Sequence, residues 1–391
     1  MTPFDPQPAM AAVMAKIDGN LKPFENFFPD DTSIANVYHP RRVPPALQAQ
    51  GLIPGANIGW TTSFWTGQLW LAYQWTGNPE YRRVAEVHLA NFRERIDRQI
   101  DVDHHDLGFL YSLAAVAPWR LTGSAYARET ALLAAQTLLR RRYIPKAGIF
   151  QAWGRMNDPE QMGRAIIDCL MNMPLLYWAS QQTGDASFAA AAESHALKSA
   201  GSFIRADDTT FHTFYFDVLD GTPRYGKTDQ GARDDSCWAR GQAWAVYGFP
   251  LSYRYTKNPA FLDAAVRLAD YFIAHLPADR VAYWDLIFND GSGEERDSGS
   301  SAIAACGLLE LAKWLPDQAK AAAYRAEAEA MTRSLYEHYS TKDNPASNAQ
   351  ILHGVYSKPG KNGVDEANLW GDYFYAEALM RLSRPDWELY W

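Results

Sequence analysis

Asp168 stands in the run Ile166-Ile-Asp-Cys-Leu-Met171, which is otherwise apolar. An unpartnered carboxylate is costly in such surroundings, and burial makes the carboxyl hold its proton more tightly. A carboxyl still protonated near neutral pH is suited to act as a general acid. The alternative is a buried Asp that caps a neighbouring helix or pairs with an arginine. Asp106, closing Asp103-His-His-Asp106, is the natural second member. Two carboxyls in one pocket drive their proton affinities apart, one staying charged while the other donates. By itself Asp106 would read as a helix N-cap. His104 and His105 raise the question of a metal, but chain neighbours rarely converge on one ion. No further cluster of ligand types supports a site, so neither metal nor other cofactor is expected.

His212, Gln230 and Arg240 are the candidate ligand-binding polar groups, Arg240 because its planar fork matches a carboxylate. Trp60, Trp65, Phe109, Trp238 and Trp244 are candidate platforms for a sugar ring. The chain is 14% aromatic with 14 Trp, an excess that serves either sugar stacking or the filling of a large core. The net charge is −8 with no long basic run, which argues against nucleic-acid and membrane-surface partners. An anionic ligand must then be attracted by local cations.

The elements that would gather these residues show in the turns. A helix stop followed at once by a helix start recurs in Trp75-Thr-Gly-Asn-Pro-Glu-Tyr81, Leu121-Thr-Gly-Ser-Ala-Tyr126 and Thr183-Gly-Asp-Ala-Ser-Phe188. Tyr255-Thr-Lys-Asn-Pro-Ala-Phe261 is a fourth copy and Trp314-Leu-Pro-Asp-Gln-Ala319 a degenerate fifth. Gly takes the left-handed position after one helix, and Asn, Ser or Asp caps the next. After the turns, amphipathic patterns predict outer helices over Glu80–Ile96, Ala125–Arg141, Ala186–Ile204, Ala260–His275 and Gln318–Tyr339. Before them, more uniformly apolar segments predict inner helices over Thr62–Gln74, Leu107–Arg120, Arg164–Gln182, Asp235–Tyr255 and Ser301–Trp314. Met10–Leu21 and Leu369–Leu382 complete about six pairs. The expectation is an all-α fold, an (α/α)6 barrel spanning residues 1–391 as one catalytic domain. Short strand-like stretches near His212–Val218 and Val281–Phe288 are expected as loops or hairpins on its rim. Three widely spaced cysteines and an N-terminus without a signal-peptide pattern favour the cytoplasm.

At these residues the sequence resembles the unsaturated glucuronyl hydrolases, glycoside hydrolase family 88. The matching segments are Asp-His-His-Asp-Leu-Gly-Phe (103–109), Ile-Ile-Asp-Cys-Leu-Met-Asn (166–172), Asp-Asp-Ser-Cys-Trp-Ala-Arg-Gly-Gln-Ala-Trp (234–244) and Trp-Gly-Asp-Tyr-Phe (370–374). The resemblance implies a substrate made by polysaccharide lyases, an unsaturated uronate-containing di- or oligosaccharide whose terminal ring carries a C4=C5 double bond. It implies hydration of that vinyl ether, with Asp168 protonating C4 and helping to activate the water added at C5. Asp106 would position the substrate and tune Asp168. His212 and Gln230 match residues around the uronate, Trp238 and Arg240 match sugar- and carboxylate-contacting ones, and Trp60, Phe109 and Trp244 match more loosely. Ser357, Lys358 and Lys361, in an expected flexible loop, form a candidate sulfate-facing set beside the alternative of exposed loop lysines. The competing readings are an unsaturated rhamnogalacturonyl hydrolase acting on pectin fragments, a sugar 2-epimerase using His212 and His353, and a non-catalytic carbohydrate-binding protein. Monomer and homodimer are both open.

Overall fold

Local turn chemistry sets the helix boundaries in the computed structural model, which describes residues 4–391. Gly77, Gly123 and Gly184 adopt φ of 73°, 69° and 76°, and Lys257 takes the same left-handed position at 57°. One residue later Asn78, Ser124, Asp185 and Asn258 each accept an amide hydrogen bond from the first turn of the next helix, as does Asp317. In the degenerate copy Leu315 is extended instead of left-handed.

Twelve barrel helices result among the described residues, besides a single short turn of helix over Pro45–Gln48. Outer α1 (Gln7–Leu21) is followed by inner α2 (Thr62–Thr76), outer α3 (Pro79–Asp97) and inner α4, which begins as Leu107–Tyr111. Outer α5 (Ala125–Arg142), inner α6 (Met173–Thr183), outer α7 (Ala186–Ser202) and inner α8 (Ala239–Thr256) follow. Outer α9 (Pro259–Ala274), inner α10 (Ser298–Trp314), outer α11 (Gln318–Ser334) and inner α12 (Leu369–Ser383) finish the chain. Each inner helix packs on the next, and α12 returns to α2, closing the ring. The architecture is the expected (α/α)6 barrel.

Two inner segments depart from expectation. Instead of one helix over Arg164–Gln182, the chain forms a strand, β3 (Arg164–Ile166), a 3-10 turn (Ile167–Met171) and then α6. Pro174 lies in the first turn of α6, where it lacks an amide to continue a helix backwards. Asp168 therefore stands on a short turn. In α4 a π-helical turn, Ser112–Val116, precedes Ala117–Thr122, and Pro118 has no N–H for the carbonyl one turn back.

Small antiparallel sheets decorate the rim. Tyr143–Ile144 (β1) pairs with Ile149–Phe150 (β2), and β3 pairs with Thr213–Phe216 (β4), which pairs with Pro223–Lys227 (β5). The strand-like pattern near His212–Val218 is thus realised as β4. Val281–Phe288 forms only isolated bridges, because side chains take its amide protons: Ala282 N–H donates to Ser301 Oγ and Ile287 N–H to Asp285. Gly354–Ser357 (β6) and Asn362–Glu366 (β7) form an unexpected hairpin whose turn is the segment expected as a flexible loop.

The barrel axis is filled by rings. Trp244 meets Phe109 at 5.1 Å and Phe374 at 5.5 Å between centroids, and Phe374 stacks on Trp391 at 5.8 Å. All four are essentially buried. The C-terminal Trp391 closes one end of the axis, its indole N–H donating to Glu377 at 2.9 Å.

Candidate active site

A cavity of about 690 Å³ opens at the other end, where the inner helices begin. Its size falls within the range that encloses a small ligand. Its lining includes both predicted carboxylates, Asp106 and Asp168. His212, Gln230, Trp238 and Arg240 line it too, as do Trp60 and Trp244. Phe109 does not; it lies under Trp60 and Trp244 as part of the floor. Trp65 is not a platform, being buried with its N–H on the Phe24 carbonyl. Ser357, Lys358 and Lys361 are outside the lining, and Lys358 is held by Glu294 (3.4 Å) and Glu295.

The two carboxyls come from adjacent turns locked together. Asp106 precedes α4, and Asp168 lies on the 3-10 turn. The Phe109 amide donates to Asn172 Oδ1 at 2.7 Å, tying one turn to the other. A Cβ on Gly108 would come within 2.2 Å of Asn172 Cα, so only glycine permits this approach. His105 bridges the pair, its Nε2 lying 3.3 Å from Asp106 Oδ1 and 3.5 Å from Asp168 Oδ1. The expectation that His105 and Asp106 do not converge is therefore corrected. Ligand-type atoms of His105, Asp106 and Asp168 lie within 4.8 Å of one another.

Electrostatics separates the roles. Burial, then the Asp106 charge, pushes the Asp168 carboxyl well above the usual carboxylate range, against the opposing charge of Arg240. Burial also works to raise Asp106, but His105 and His104 beside it outweigh that and hold it below the ordinary value. Burial lowers His105 to about 4, so its ring is neutral. One carboxyl pushed towards its acid form and one held towards its charged form thus share a pocket, an arrangement suited to proton donation next to a fixed negative charge.

The remaining groups orient a ligand. His212 Nδ1 accepts from the Asp229 amide at 2.9 Å, and burial lowers its pKa to about 3. The neutral ring therefore carries its proton on Nε2, as a donor. Arg240 gives its terminal nitrogens to Asp297 (3.3 Å), Gln230, and the carbonyls of Val355 and Tyr356. It positions Gln230 and pins the β6–β7 hairpin while its charge still reaches Asp168. Trp60 donates to Tyr356 Oη at 3.1 Å and stacks on Trp370. Sequence reasoning missed Arg41, Arg42, Arg164, Trp153 and Tyr356, all in the lining. The spacing of Asp30-Asp31 and Arg41-Arg42 was the available signal, since the two acids and two arginines pair with one another.

The profile of Glycosyl Hydrolase Family 88 matches residues 40–382. The chain is 44% identical over 384 residues to the unsaturated chondroitin disaccharide hydrolase of Streptococcus pneumoniae, covering 98% of this chain and 93% of that one. It is similar to the crystal structure of the unsaturated glucuronyl hydrolase of Streptococcus agalactiae, with 41% identity, a TM-score of 0.93, and coverage of 100% and 95%. An Asp-to-Asn mutant of that enzyme complexed with dGlcA-GalNAc6S matches with 38% identity, a TM-score of 0.85, and coverage of 100% and 95%.

Proposed function

This chain belongs to Glycosyl Hydrolase Family 88, and on that footing we propose that it releases 4,5-unsaturated glucuronic acid from the non-reducing end of short lyase-generated glycosaminoglycan-type oligosaccharides. It is a glycoside hydrolase of the unsaturated glucuronyl type. What supports the mechanism is the split pair: burial and the Asp106 charge raise the Asp168 carboxyl, while Asp106 beside it is held low. Asp168 gives its proton to C4 of the vinyl ether, and positive charge develops across C5 and the ring oxygen. The Asp106 carboxylate stabilises that charge. Asp168, now ionised, takes a proton from water as its oxygen bonds to C5. The resulting hemiketal opens, and the glycosidic bond breaks to give the shortened saccharide and a keto acid. This chemistry calls on no redox group or Lewis acid.

His212 Nε2–H and Gln230 supply hydrogen bonds to the ring, and Trp60, Trp238 and Trp244 its apolar walls. The 2-epimerase reading loses its second histidine, because His353 lies outside the cavity lining, paired with Asp365 at 2.6 Å. Three buried free cysteines support a cytoplasmic setting, where the enzyme would act as a monomer or homodimer. No helix among the described residues is long and apolar enough to cross a membrane.

The test is the ultraviolet absorbance of an unsaturated chondroitin disaccharide, which is lost when the conjugated double bond is hydrated. Loss with the wild type and none with Asp168→Asn is expected. Persistent absorbance with the wild type on sulfated and unsulfated glucuronyl disaccharides alike would overturn the assignment.

A further inference from the structure

A second cavity, of about 220 Å³, opens between the loop that leads into α2 and the C-terminal end of α3. It shares no lining residue with the active-site cavity. Sites for drug-sized ligands begin at roughly 300 Å³, so this one has room for a single ring. Asn57 lines it and is only 6% exposed. Its Oδ1 accepts from Thr62 Oγ1 at 2.7 Å and from Arg95 Nη1 at 2.9 Å. Its amide nitrogen meets no acceptor among the described residues. A buried donor left in that state is costly, and an acceptor can reach it from the cavity.

The rest of the lining states what kind of molecule would bring that acceptor. Asn26 and Asn91 add two more carboxamides, neither spent on a protein partner among the described residues. A carboxamide presents donor and acceptor in one plane, and neighbouring ring hydroxyls, each able to give and take, answer both. Charge is cancelled locally. Arg95 gives its nitrogens to Asn57 and to the carbonyls of Gly59, Ile100 and Asp101, and Arg98 pairs with Glu94 at 2.5 Å. An anion therefore finds no uncompensated cation here. Phe27 and Ile53 supply an apolar rim, 39% and 60% exposed. Gly55, at φ 88°, passes so close that a Cβ there would lie 2.7 Å from the Phe27 ring, so the loop backs that ring.

We propose that this cavity binds one uncharged sugar ring at a site apart from the catalytic one. The three carboxamides take its hydroxyls, and Phe27 with Ile53 its C–H face. The assignment does not rest on the activity proposed above.

The experiment titrates the full chain with the methyl glycosides of N-acetylglucosamine, N-acetylgalactosamine, glucose and galactose, following binding by ligand-observed NMR. Methyl glucuronoside is the charged comparison. The wild type is expected to bind at least one neutral glycoside. Asn57→Asp keeps the acceptor for Thr62 and Arg95 but loses the free amide donor, and Asn91→Ala removes a carboxamide from a helix surface. Each should weaken that binding by about fivefold to tenfold with unchanged helical circular dichroism, while His212→Ala in the active-site cavity leaves it unaltered. Any binding of the glucuronoside should be indifferent to Asn91→Ala. No neutral glycoside bound up to about 10 mM, equal affinity in both pocket variants, or an equal loss in His212→Ala overturns the site. A matching loss of glucuronoside binding in Asn91→Ala overturns its preference for an uncharged ring.

Discussion

At the scale of single residues, the proposed mechanism turns on one proton held by Asp168. Its pKa is raised, so the acid form exists below that raised value and kcat/KM must fall as pH climbs through it. The Asp106 charge is one of the causes. Asp106→Asn should therefore lower the Asp168 pKa and move the alkaline limb of the residual activity towards lower pH. A limb that moves upward would contradict the coupling. His105, Asp106 and Asp168 are close enough to resemble a ligand set, but in the proposed mechanism Asp168 moves the proton and Asp106 supplies the fixed charge. Prolonged chelation followed by gel filtration is expected to leave turnover unchanged, and a loss restored by a divalent ion would refute that. The special character of Asp168 was legible from its apolar neighbours alone. The bridging position of His105 was not, because sequence adjacency hides which way consecutive side chains turn.

Among the elements, precision comes from the contact between the start of α4 and the 3-10 turn. Gly108→Ala would drive a methyl into the Asn172 backbone and part the two carboxyls. A displacement of about 1 Å at reacting groups costs about 100-fold in rate, so a loss of that order is expected with unchanged helical circular dichroism. Asn172→Ala, which removes the acceptor of the Phe109 amide, should act in the same direction but less. Wild-type rates in Gly108→Ala would show that the approach is not needed. The turn chemistry of the hairpins could be read directly because a cap is a local affair of three or four residues. The breaks were harder. In the segments containing Pro118 and Pro174, apolar periodicity continued through positions where a missing amide ends regular helix. The β6–β7 hairpin escaped because its polar, glycine-bearing strands carry little alternation, and its register is fixed by distant partners such as Arg240.

For the whole molecule, closure of the ring and filling of its axis go together. Trp391 is buried against Phe374 and bonded to Glu377. Truncating such a ring costs about 3–5 kcal/mol, so Trp391→Ala should lower the denaturation midpoint clearly. Turnover well below that midpoint should change less, since Trp391 is outside the cavity lining and reaches the floor only through Phe109, 6.1 Å away between ring centroids. An equal loss in both would mean that the plug also shapes the site. The six-pair ring was legible because inner and outer helices differ in how evenly apolar they are. The N-terminal wall of the cavity, with Arg41 and Arg42, was not, since it lies in an aperiodic stretch between α1 and α2.

The aromatic plug also imposes a traffic rule. A dead-end cavity admits only the tip of a chain, which makes the enzyme exolytic whatever the length of its substrate. The unit that enters first must leave last, because its departing partner stands between it and the mouth. Release is then ordered, the shortened saccharide before the keto acid. Product inhibition should record that order: the keto acid competes with substrate for free enzyme, and the saccharide inhibits without competing.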